Sequence, residues 1–428
     1  MWVHRTVDVI AGPDVPADPE SPDLIRLFGG PRTERAPRLC RCQEGLTPRC
    51  AAMLSVGVDR QAVRDHADAA FPDASRCPDP GCVWRCLLTL IFTGDLVRVD
   101  THCSRLAEQP RWSGTGPAAQ VLQVIRSRIS FLVGDLAETR RILGKMVQSP
   151  IAESMEAIVV AWLTEALVQL GDASAAEYLL IGRGFSGALP NDLPGRALLL
   201  YAAGGVNMAL RRMNRAVNDF LACGREVAAC NFANPCVIPW RTGAAMSMLG
   251  AEQTDLARAL VRTELDAAWK WGSPREIGRA SLASAMVHGG STDLIVEAAD
   301  LLAIANARSD MTGVARAIGG DQGALRDLPR ARQLLRRVAD LTERGGNQYA
   351  ANVASGELAR FLATHGNPVL TKREIDVAKL VWAGYNNAEI ADRLSLTRRT
   401  VEYHLSAVYR KCHLADRRHL YLAMTKFC

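Results

Sequence analysis

Apolar positions recur at helical spacing along most of the chain, from about residue 80 onward. This stretch is rich in Ala, Leu, Val and Arg, and it lacks the long alternating β-branched runs that are typical of strands. Residues 1 to about 75 differ, because Pro, Arg and Asp are frequent there and no helical period persists. The pattern therefore predicts an all-α body that follows a flexible segment, mostly loop.

A repeat is visible within the helical body. Each copy has an apolar residue, a glycine and a polar residue, followed by Ala and Leu at helical spacing. The glycines that share this pattern are Gly94, Gly134, Gly171, Gly250 and Gly289. The period is close to 39 residues, and one copy, near Arg211, has lost its glycine. Two antiparallel helices fit this period if the glycine ends the first helix in a left-handed conformation.

Stacked helix pairs of this kind form a tetratricopeptide-like array, which buries a continuous core and leaves a concave face. Such an array is typical of a scaffold, and it is equally typical of a sensor that binds a protein or small-molecule effector. The repeat pattern does not separate these two functions.

The C-terminal region contains three successive helix starts with the same chemistry. Thr371 and Asn386 each precede a glutamate by three residues, Glu374 and Glu389, which is the capping-box spacing. Thr397 supplies the third cap, although a threonine replaces the reciprocal glutamate. These caps predict short helices that are separated by tight turns.

The middle two of these helices form a predicted helix-turn-helix. The first helix runs from Asn386 to Leu394 and the second from Thr397 to about Lys411, while Gly384 ends the helix before them. A fourth short helix is predicted from Asp416 to about Met424. The predicted module therefore has four helices.

The second helix of the pair has two chemically distinct faces. Its apolar face, which we expect to pack inward, consists of Val401, Leu405, Val408 and Cys412. Its polar face consists of Arg399, Glu402, Tyr403, Ser406 and Arg410. The polar face fits a DNA major groove, where arginines bind phosphates or guanine edges and a glutamate accepts from cytosine. A solvated polar face is the alternative interpretation.

Net charge supports a nucleic-acid contact at this end of the chain. The 428 residues carry a formal net charge of +6, and residues 366–428 alone hold four Lys and seven Arg against three Asp and three Glu. A compact basic segment on a nearly neutral chain is typical of proteins that bind nucleic acid.

The string GYNNAEIADRLSLTRRTVEYHLSAVYRKC resembles the helix-turn-helix of LuxR-type transcriptional regulators. Two segments upstream, residues 233–250 and 268–280, resemble the helical C-terminal half of the large ATP-binding, MalT-like LuxR regulators. The resemblance extends over roughly residues 80 to 428. Together with the change in composition near residue 80, it predicts a flexible N-terminal segment over 1–78, a helical-repeat domain over 79–365 and a LuxR-type DNA-binding domain over 366–428.

The family implies a DNA-binding transcription regulator, usually an activator, that reads promoter DNA with the helix at Thr397. Because the module is short and reads a short half-site, we expect a homodimer on double-stranded DNA, with RNA polymerase as a further partner. The resemblance places Asn387, Thr397 and His404 near the DNA backbone. It places Glu402, Tyr403 and Ser406 near bases. The predicted DNA-binding residues are Asn387, Thr397, Arg398, Arg399, Thr400, Glu402, Tyr403, His404, Ser406, Arg410 and Lys411.

No phosphate-binding loop accompanies the repeats. Lys145 is the first lysine of the chain and follows Gly144, but Met146 stands where Ser or Thr is needed. A dinucleotide-type glycine pattern spans 182–187, yet it follows a helical repeat rather than a strand and is expected to be a loop. We predict no cofactor, no ATP-driven switching and no enzymatic activity.

Cysteine and hydropathy patterns set the remaining expectations. Seven of the twelve cysteines fall between Cys40 and Cys103, with spacings that fit zinc or an iron-sulfur cluster poorly. No bound metal is predicted, and a thiol or metal sensor remains an alternative. No apolar run reaches the length of a membrane span, and the N-terminus lacks a signal peptide, so the sequence predicts a cytoplasmic protein. A second alternative is a protein-interaction scaffold whose C-terminal module mainly dimerises.

Overall fold

The computed structural model describes residues 24–30, 48–289, 292–320, 328–344, 347–365, 370–412, 416–417 and 420. Within these ranges the chain forms α-helices and one short 3-10 helix, and it forms no strand. The predicted all-α class is therefore confirmed.

The helices follow one another with short connections. Those of the first half are α1 Leu24–Phe28, α2 Pro48–Val56, α3 Arg60–Arg76, α4 Pro80–Thr93, α5 Leu96–Ala107, α6 Pro110–Ser113, α7 Pro117–Val133, α8 Leu136–Val147, α9 Glu153–Gln169, α10 Ala173–Gly182 and α11 Arg196–Ala209. Those that follow are α12 Met213–Ala229, α13 Trp240–Gly250, α14 Thr254–Trp271, α15 Pro274–Val287, α16 Thr292–Ile304, the 3-10 helix Arg308–Asp310, α17 Met311–Gly320, α18 Leu328–Arg344 and α19 Gln348–His365. The C-terminal helices are α20 Lys372–Trp382, α21 Asn387–Leu394 and α22 Arg398–Cys412.

Glycines of the repeat end helices as their spacing predicts. Gly94, Gly134 and Gly171 have φ of 83°, 87° and 83°, a left-handed conformation that a Cβ atom disfavours. The aspartate after each glycine then accepts a hydrogen bond from the backbone N–H three residues on, which caps the next helix. Gly289 also is left-handed, with φ of 85°. The local sequence thus sets both the end of one helix and the start of the next.

Two members of the repeat depart from this arrangement. Arg211 occupies the left-handed position itself, with φ of 60°, at the copy that has lost its glycine. The expected role of Gly250 is wrong: this residue is the last of α13, and Glu252 takes the left-handed conformation with φ of 62°. Non-glycine residues at these two turns carry a conformational cost that the surrounding helices offset.

The helical array curves so that helices distant in sequence meet. The Trp271 indole donates a 3.2 Å hydrogen bond to the carbonyl of Phe92, which lies 179 residues earlier. The Asn234 amide donates across 180 residues to the carbonyl of Leu54, at 2.8 Å. The turn at Gly134 approaches the 3-10 helix so closely that an added Cβ would lie 2.7 Å from Cβ of Arg308. Helices α3 to α17 therefore surround a common interior.

The expectation of a mostly loop N-terminal segment is wrong for residues 48–76, which form α2 and α3. Asp59 caps α3 by accepting a hydrogen bond from the backbone N–H of Ala62. Val63 and Ala67 are fully buried in the apolar core that α3 shares with the helices that follow it. A stripe of small apolar residues at helical spacing drives this burial, despite the prolines and charges around it. Residues 1–23 and 31–47 lie outside the described residues, as do Cys40 and Cys42.

Buried cysteines fill gaps between these helices. Burial raises the pKa of both Cys86 and Cys103 to about 12, so both thiols stay protonated at neutral pH and are poor nucleophiles. No group of three or more potential metal-ligating side chains occurs among the described residues.

The glycine pattern at 182–187 begins at the last residue of α10 and continues into the connection to α11, which confirms the predicted loop between helices. Across the described ranges, no helix combines the length and the apolar character that a membrane crossing requires.

Candidate nucleic-acid interface

Helices α20, α21 and α22 pack around a small apolar core of their own. Val377 and Val381 of α20, Ile390 of α21, and Val401 and Val408 of α22 are at most 2% exposed. Leu405 is also buried, so three of the four residues predicted for the inward face of α22 are confirmed. The fourth is Cys412, whose side chain lies outside the described set.

The predicted caps of the three helices are confirmed. In the first box, Glu374 N–H donates to Thr371 Oγ1 at 3.3 Å, while Thr371 N–H donates to Glu374 Oε2 at 2.7 Å. Asn386 and Glu389 form the same reciprocal pair, at 3.1 and 2.7 Å. Thr397 Oγ1 accepts from the backbone N–H of Thr400 at 3.1 Å. These bonds satisfy amides that otherwise lack partners at a helix start.

The turns between the helices are fixed by two residues with positive φ. Gly384 has φ of 90° and ends α20 as predicted. Ser395 has φ of 53° and ends α21, and the next residue, Leu396, donates its N–H to the Ala391 carbonyl at 2.8 Å. This six-to-one bond is the Schellman pattern. It sets the angle at which α22 leaves α21, which the sequence did not reveal because Ser395 carries no glycine-like signature.

The outward face of α22 is polar and exposed, as predicted. Its exposed residues are Arg399, Glu402, Tyr403, Ser406 and Arg410. The Tyr403 side chain is 71% exposed, which is unusual for an aromatic residue and leaves its ring and hydroxyl available to a partner. Neither Arg399 nor Arg410 pairs with a carboxylate in the part of the chain that the structure describes. Two uncommitted guanidinium groups thus flank an exposed aromatic ring.

The first turn of α22 holds further predicted residues. Thr397 and Arg398 are exposed, and Thr400 is half-buried. Arg398 Nε donates to Glu402 Oε1 at 3.2 Å, one helical turn away. The Arg398 side chain is 73% exposed and the Glu402 side chain is 50% exposed, so water and salt screen this pair. Glu402 is therefore held loosely and can exchange Arg398 for a donor on another molecule.

Lys411 is engaged within the protein rather than on the outward face. Its ammonium group donates to both carboxylate oxygens of Glu374, at 2.8 and 2.7 Å, and so ties the end of α22 to the start of α20. Glu374 is only 4% exposed. The hydrogen bonds from Lys411 lower the pKa of Glu374, with a further contribution from the Thr371 N–H.

Asn387 also has an internal partner, because its side-chain oxygen accepts from Arg417 Nη1 at 2.8 Å. The same arginine donates to the carbonyl of Tyr385. Arg373 Nη2 donates to the Leu394 carbonyl at 2.6 Å, at the C-terminal end of α21. His404 is half-buried beside Tyr403, with ring centroids 5.8 Å apart. Sequence reasoning missed Arg373, Glu374 and Arg417 as cross-links, because each binds a residue on another helix.

Comparison with known proteins agrees with this geometry. The model of the family described as bacterial regulatory proteins, luxR family, matches residues 368–424. The chain carries a LuxR-family helix-turn-helix domain. None of the curated proteins compared with the chain matches it.

The LuxR-family domain spans α20, α21 and α22, so the matched residues are those that form the separate apolar core and the exposed polar face. The match supports a DNA-binding transcription regulator. It does not extend to the helical body, where the resemblance to MalT-like regulators stays a prediction.

Proposed function

We propose that this protein is a sequence-specific transcription activator that uses α22 as its recognition helix. The observation that carries the proposal is the outward face of α22, where Arg399, Tyr403 and Arg410 are exposed on a helix whose opposite face is buried. A helix with one rigidly packed face and one exposed polar face fits the major groove of B-form DNA.

The exposed residues divide into two roles in this proposal. Arg399, Arg410 and the capped N-terminus of α22 at Thr397 hold phosphates and position the helix. Glu402, Tyr403 and Ser406 face bases. Ser406 lies four residues after Glu402 and three residues after Tyr403, so the three side chains share one side of the helix. Lys411 and Asn387 act through the fold, because both bind internal partners.

The remaining parts of the proposal concern partners and location. The short recognition helix covers one half-site, which favours a homodimer on a two-fold site and contact with RNA polymerase at a promoter. The tetratricopeptide-like body over 79–365, together with α2 and α3, binds an effector. Residues 366–428 bind DNA. We expect the protein to work in the cytoplasm and without catalysis.

A protein-interaction scaffold is the competing proposal, and one observation favours it. Tyr178 and Ile181, three residues apart on α10, are 74% and 53% exposed. Neighbouring exposed apolar side chains of this kind are typical of a protein-binding surface. In that case the LuxR-family domain would mainly dimerise, and the full chain would show no sequence-selective DNA binding.

Selection from a random DNA library separates these proposals. The full-length protein is expected to enrich a two-fold motif, and the triple variant with Glu402, Tyr403 and Ser406 changed to Ala is expected to lose it. Arg140→Ala is a matched surface control, because Arg140 is exposed on α8 and far from α22 in sequence. Absence of enrichment by the unaltered protein, at low and at physiological salt, would favour the scaffold.

The division of roles has its own test. Tyr403→Ala is expected to change base preference and to cost about 1 to 3 kcal/mol at one contacted position of the selected site. Arg399→Ala is expected to weaken binding to all sequences alike and to reduce its salt dependence. Competition binding against selected and scrambled duplexes measures both effects. Equal losses on both duplexes for both variants would contradict the division.

A further inference from the structure

The interior of the curved helical body contains a large cavity. Its volume is about 810 Å³, within the range of roughly 300 to 1,000 Å³ that is typical of small-molecule sites. The wall is built from segments far apart in sequence, from Arg60 at the start of α3 to Arg316 within α17. The cavity is partly open to solvent, and it forms only where helices distant in sequence meet.

Most of the cavity wall is apolar. Phe92, Phe131, Phe220 and Met246 contribute large side chains, and Leu282 of α15 also lines the cavity. Tyr201 packs edge-on against Phe220, with ring centroids 5.4 Å apart. Such a wall favours a ligand that is mainly hydrocarbon and contains rings.

The charged residues of the wall are mostly committed to one another. Arg128 Nη1 donates to Glu165 Oε2 at 2.9 Å, and its guanidinium also stacks 4.9 Å from the centre of the Phe131 ring. Arg275 lies 2.8 Å from Asp310. Each of these arginines is neutralised by a direct carboxylate partner, which leaves neither as an anchor for a charged ligand.

Arg279 is half-buried in this wall and has longer polar contacts than Arg128 or Arg275. Its Nη2 lies 3.4 Å from the Pro235 carbonyl and 3.7 Å from Glu276 Oε1, so both contacts are long and both involve the same nitrogen. A guanidinium carries five N–H donors in a planar fork that matches a carboxylate or sulfonate. Burial opposes the charge of Arg279, but the carboxylates of Glu276 and Asp310 outweigh it and raise the pKa above its usual value.

Thr312 contributes a polar group to the wall. The Thr312 side chain is 4% exposed, and its hydroxyl makes no hydrogen bond to any described residue. A buried hydroxyl without a partner carries a desolvation cost. Tyr201 adds a phenol whose burial raises its pKa, so it remains a neutral donor beside Arg279. Arg279 and Tyr201 therefore place hydrogen-bond donors on this part of the wall, beside the carboxylates of Glu276 and Asp310.

We infer that the cavity binds a mainly apolar small molecule with one anionic group, which Arg279 holds while the rings pack against Phe131, Phe220 and Met246. This site gives the proposed effector a chemical class and a location, and its regulatory meaning rests on the proposed DNA-binding function. Binding itself is independent of DNA, so the two proposals fail separately.

Two fluorescent probes that differ only in charge test this class of ligand. Anilinonaphthalene sulfonate has two aromatic parts and one sulfonate, and N-phenylnaphthylamine is the same molecule without the sulfonate. With about 20 non-hydrogen atoms, a drug-like efficiency gives the sulfonate a Kd of roughly 20 µM. Equilibrium dialysis with the full-length protein is expected to show one saturable site, with the uncharged probe bound at least about tenfold more weakly.

Arg279→Gln tests the anchor. Affinity for the sulfonate is expected to fall about tenfold to a hundredfold, while affinity for the uncharged probe stays within about twofold. Equal weakening for both probes, or none for either, would overturn the role of Arg279. Circular dichroism shows whether the variant retains the helical fold.

Gly205 allows the cavity to be blocked without touching a charged residue. It lies on α11 at the cavity wall, and an added Cβ would meet nothing within 4 Å. Gly205→Phe is expected to weaken both probes at least about tenfold by filling the space. Gly144→Phe is the matched control, because Gly144 also has open space around it but lies on α8 outside the cavity.

The outcomes are decisive in each arm. Unchanged binding by Gly205→Phe, or equal losses in Gly205→Phe and Gly144→Phe, would place the probe elsewhere and overturn the proposal. Failure of the unaltered protein to bind either probe would overturn it as well. A protein that binds the probes in the cavity but selects no DNA would retain this site and lose the proposed regulatory function.

Discussion

Adjacent basic residues at the end of α22 are predicted to have opposite roles. Lys411 donates two hydrogen bonds to the buried carboxylate of Glu374, whereas Arg410 is exposed. Replacing either residue by Met removes the same charge and retains a long apolar side chain. Lys411→Met is therefore expected to destabilise the LuxR-family domain, and Arg410→Met is expected to weaken its contact with DNA phosphates.

The magnitude for Lys411 follows from its partner and its exposure. Charge-assisted hydrogen bonds to a buried group contribute about 1.5 to 3 kcal/mol, and water screens this pair because the Lys411 side chain is 31% exposed. We expect a loss of about 2 kcal/mol, or about 30-fold in the ratio of closed to open domain. Hydrogen exchange of α20 and α22 amides in the full-length protein measures that ratio.

The magnitude for Arg410 follows from counterion release. One lost phosphate contact lowers the slope of log K against log salt by about 0.9, so Arg410→Met reduces the slope by about that amount and leaves hydrogen exchange unchanged. Lys411→Met is expected to leave the slope unchanged under conditions where the domain stays folded. If Lys411→Met lowers the slope as much as Arg410→Met does, the assignment of Lys411 to the fold is refuted.

Three further predictions concern pH and the repeat. Because Lys411 lowers the pKa of Glu374 in the folded state, the ionised carboxylate stabilises the domain above the ordinary pKa of 4.5, and this contribution is lost as pH falls through the lower pKa of the folded state. When hydrogen-exchange protection of α20 is followed as the pH is lowered, the loss of protection should be flatter in Glu374→Gln. Equal acid sensitivity of the two proteins would contradict the assignment. Gly94→Ala is expected to lower the free energy of unfolding in urea by about 1 kcal/mol, and Gly171→Ala by about 2 to 3 kcal/mol. Both glycines are left-handed, but only at Gly171 would an added Cβ press into the Tyr349 ring. Equal losses would show that the ring moves aside freely. Arg211→Gly is expected to stabilise the protein by about 0.5 to 1 kcal/mol in the same assay, because φ there is 60° and the side chain is exposed; Arg211→Ala, which keeps the Cβ, should show no gain.

The parts of the LuxR-family domain that the sequence predicts are those that depend on neighbours in the chain. A capping box needs only Thr371 and a glutamate three residues later, and a buried helix face needs only apolar residues at a period of 3.6. Both devices form where expected. The second function of Glu374, as the partner of Lys411, joins residues 37 positions apart. No local pattern reveals such a pair, because a lysine at the end of a helix has the same sequence context whether or not it is bound.

The N-terminal helices show a different kind of limit. Val63, Ala67, Ala70 and Ala74 stand four, three and four residues apart, so α3 carries a helical stripe that sequence analysis can detect. The prediction of loop was based on the frequent Pro, Arg and Asp residues and missed this stripe. Burial of the stripe against other helices stabilises α3 despite Pro72, since tertiary packing overrides weak helix propensity.

The cavity depends most strongly on the tertiary arrangement. Arg279, Thr312 and Tyr201 belong to three different helices, and each has an ordinary sequence context. Their significance comes from what surrounds them. Arg128 and Arg275 have direct carboxylate partners, whereas Arg279 keeps spare donors. Packing of the array leaves the Thr312 hydroxyl without a hydrogen-bond partner among the described residues. An array that only supported other proteins would gain stability by replacing Thr312 with Val and filling the space at Gly205. Retaining a buried unpartnered donor and a wide interior lowers stability, and a ligand that fills the interior offsets this loss by binding only to the folded state.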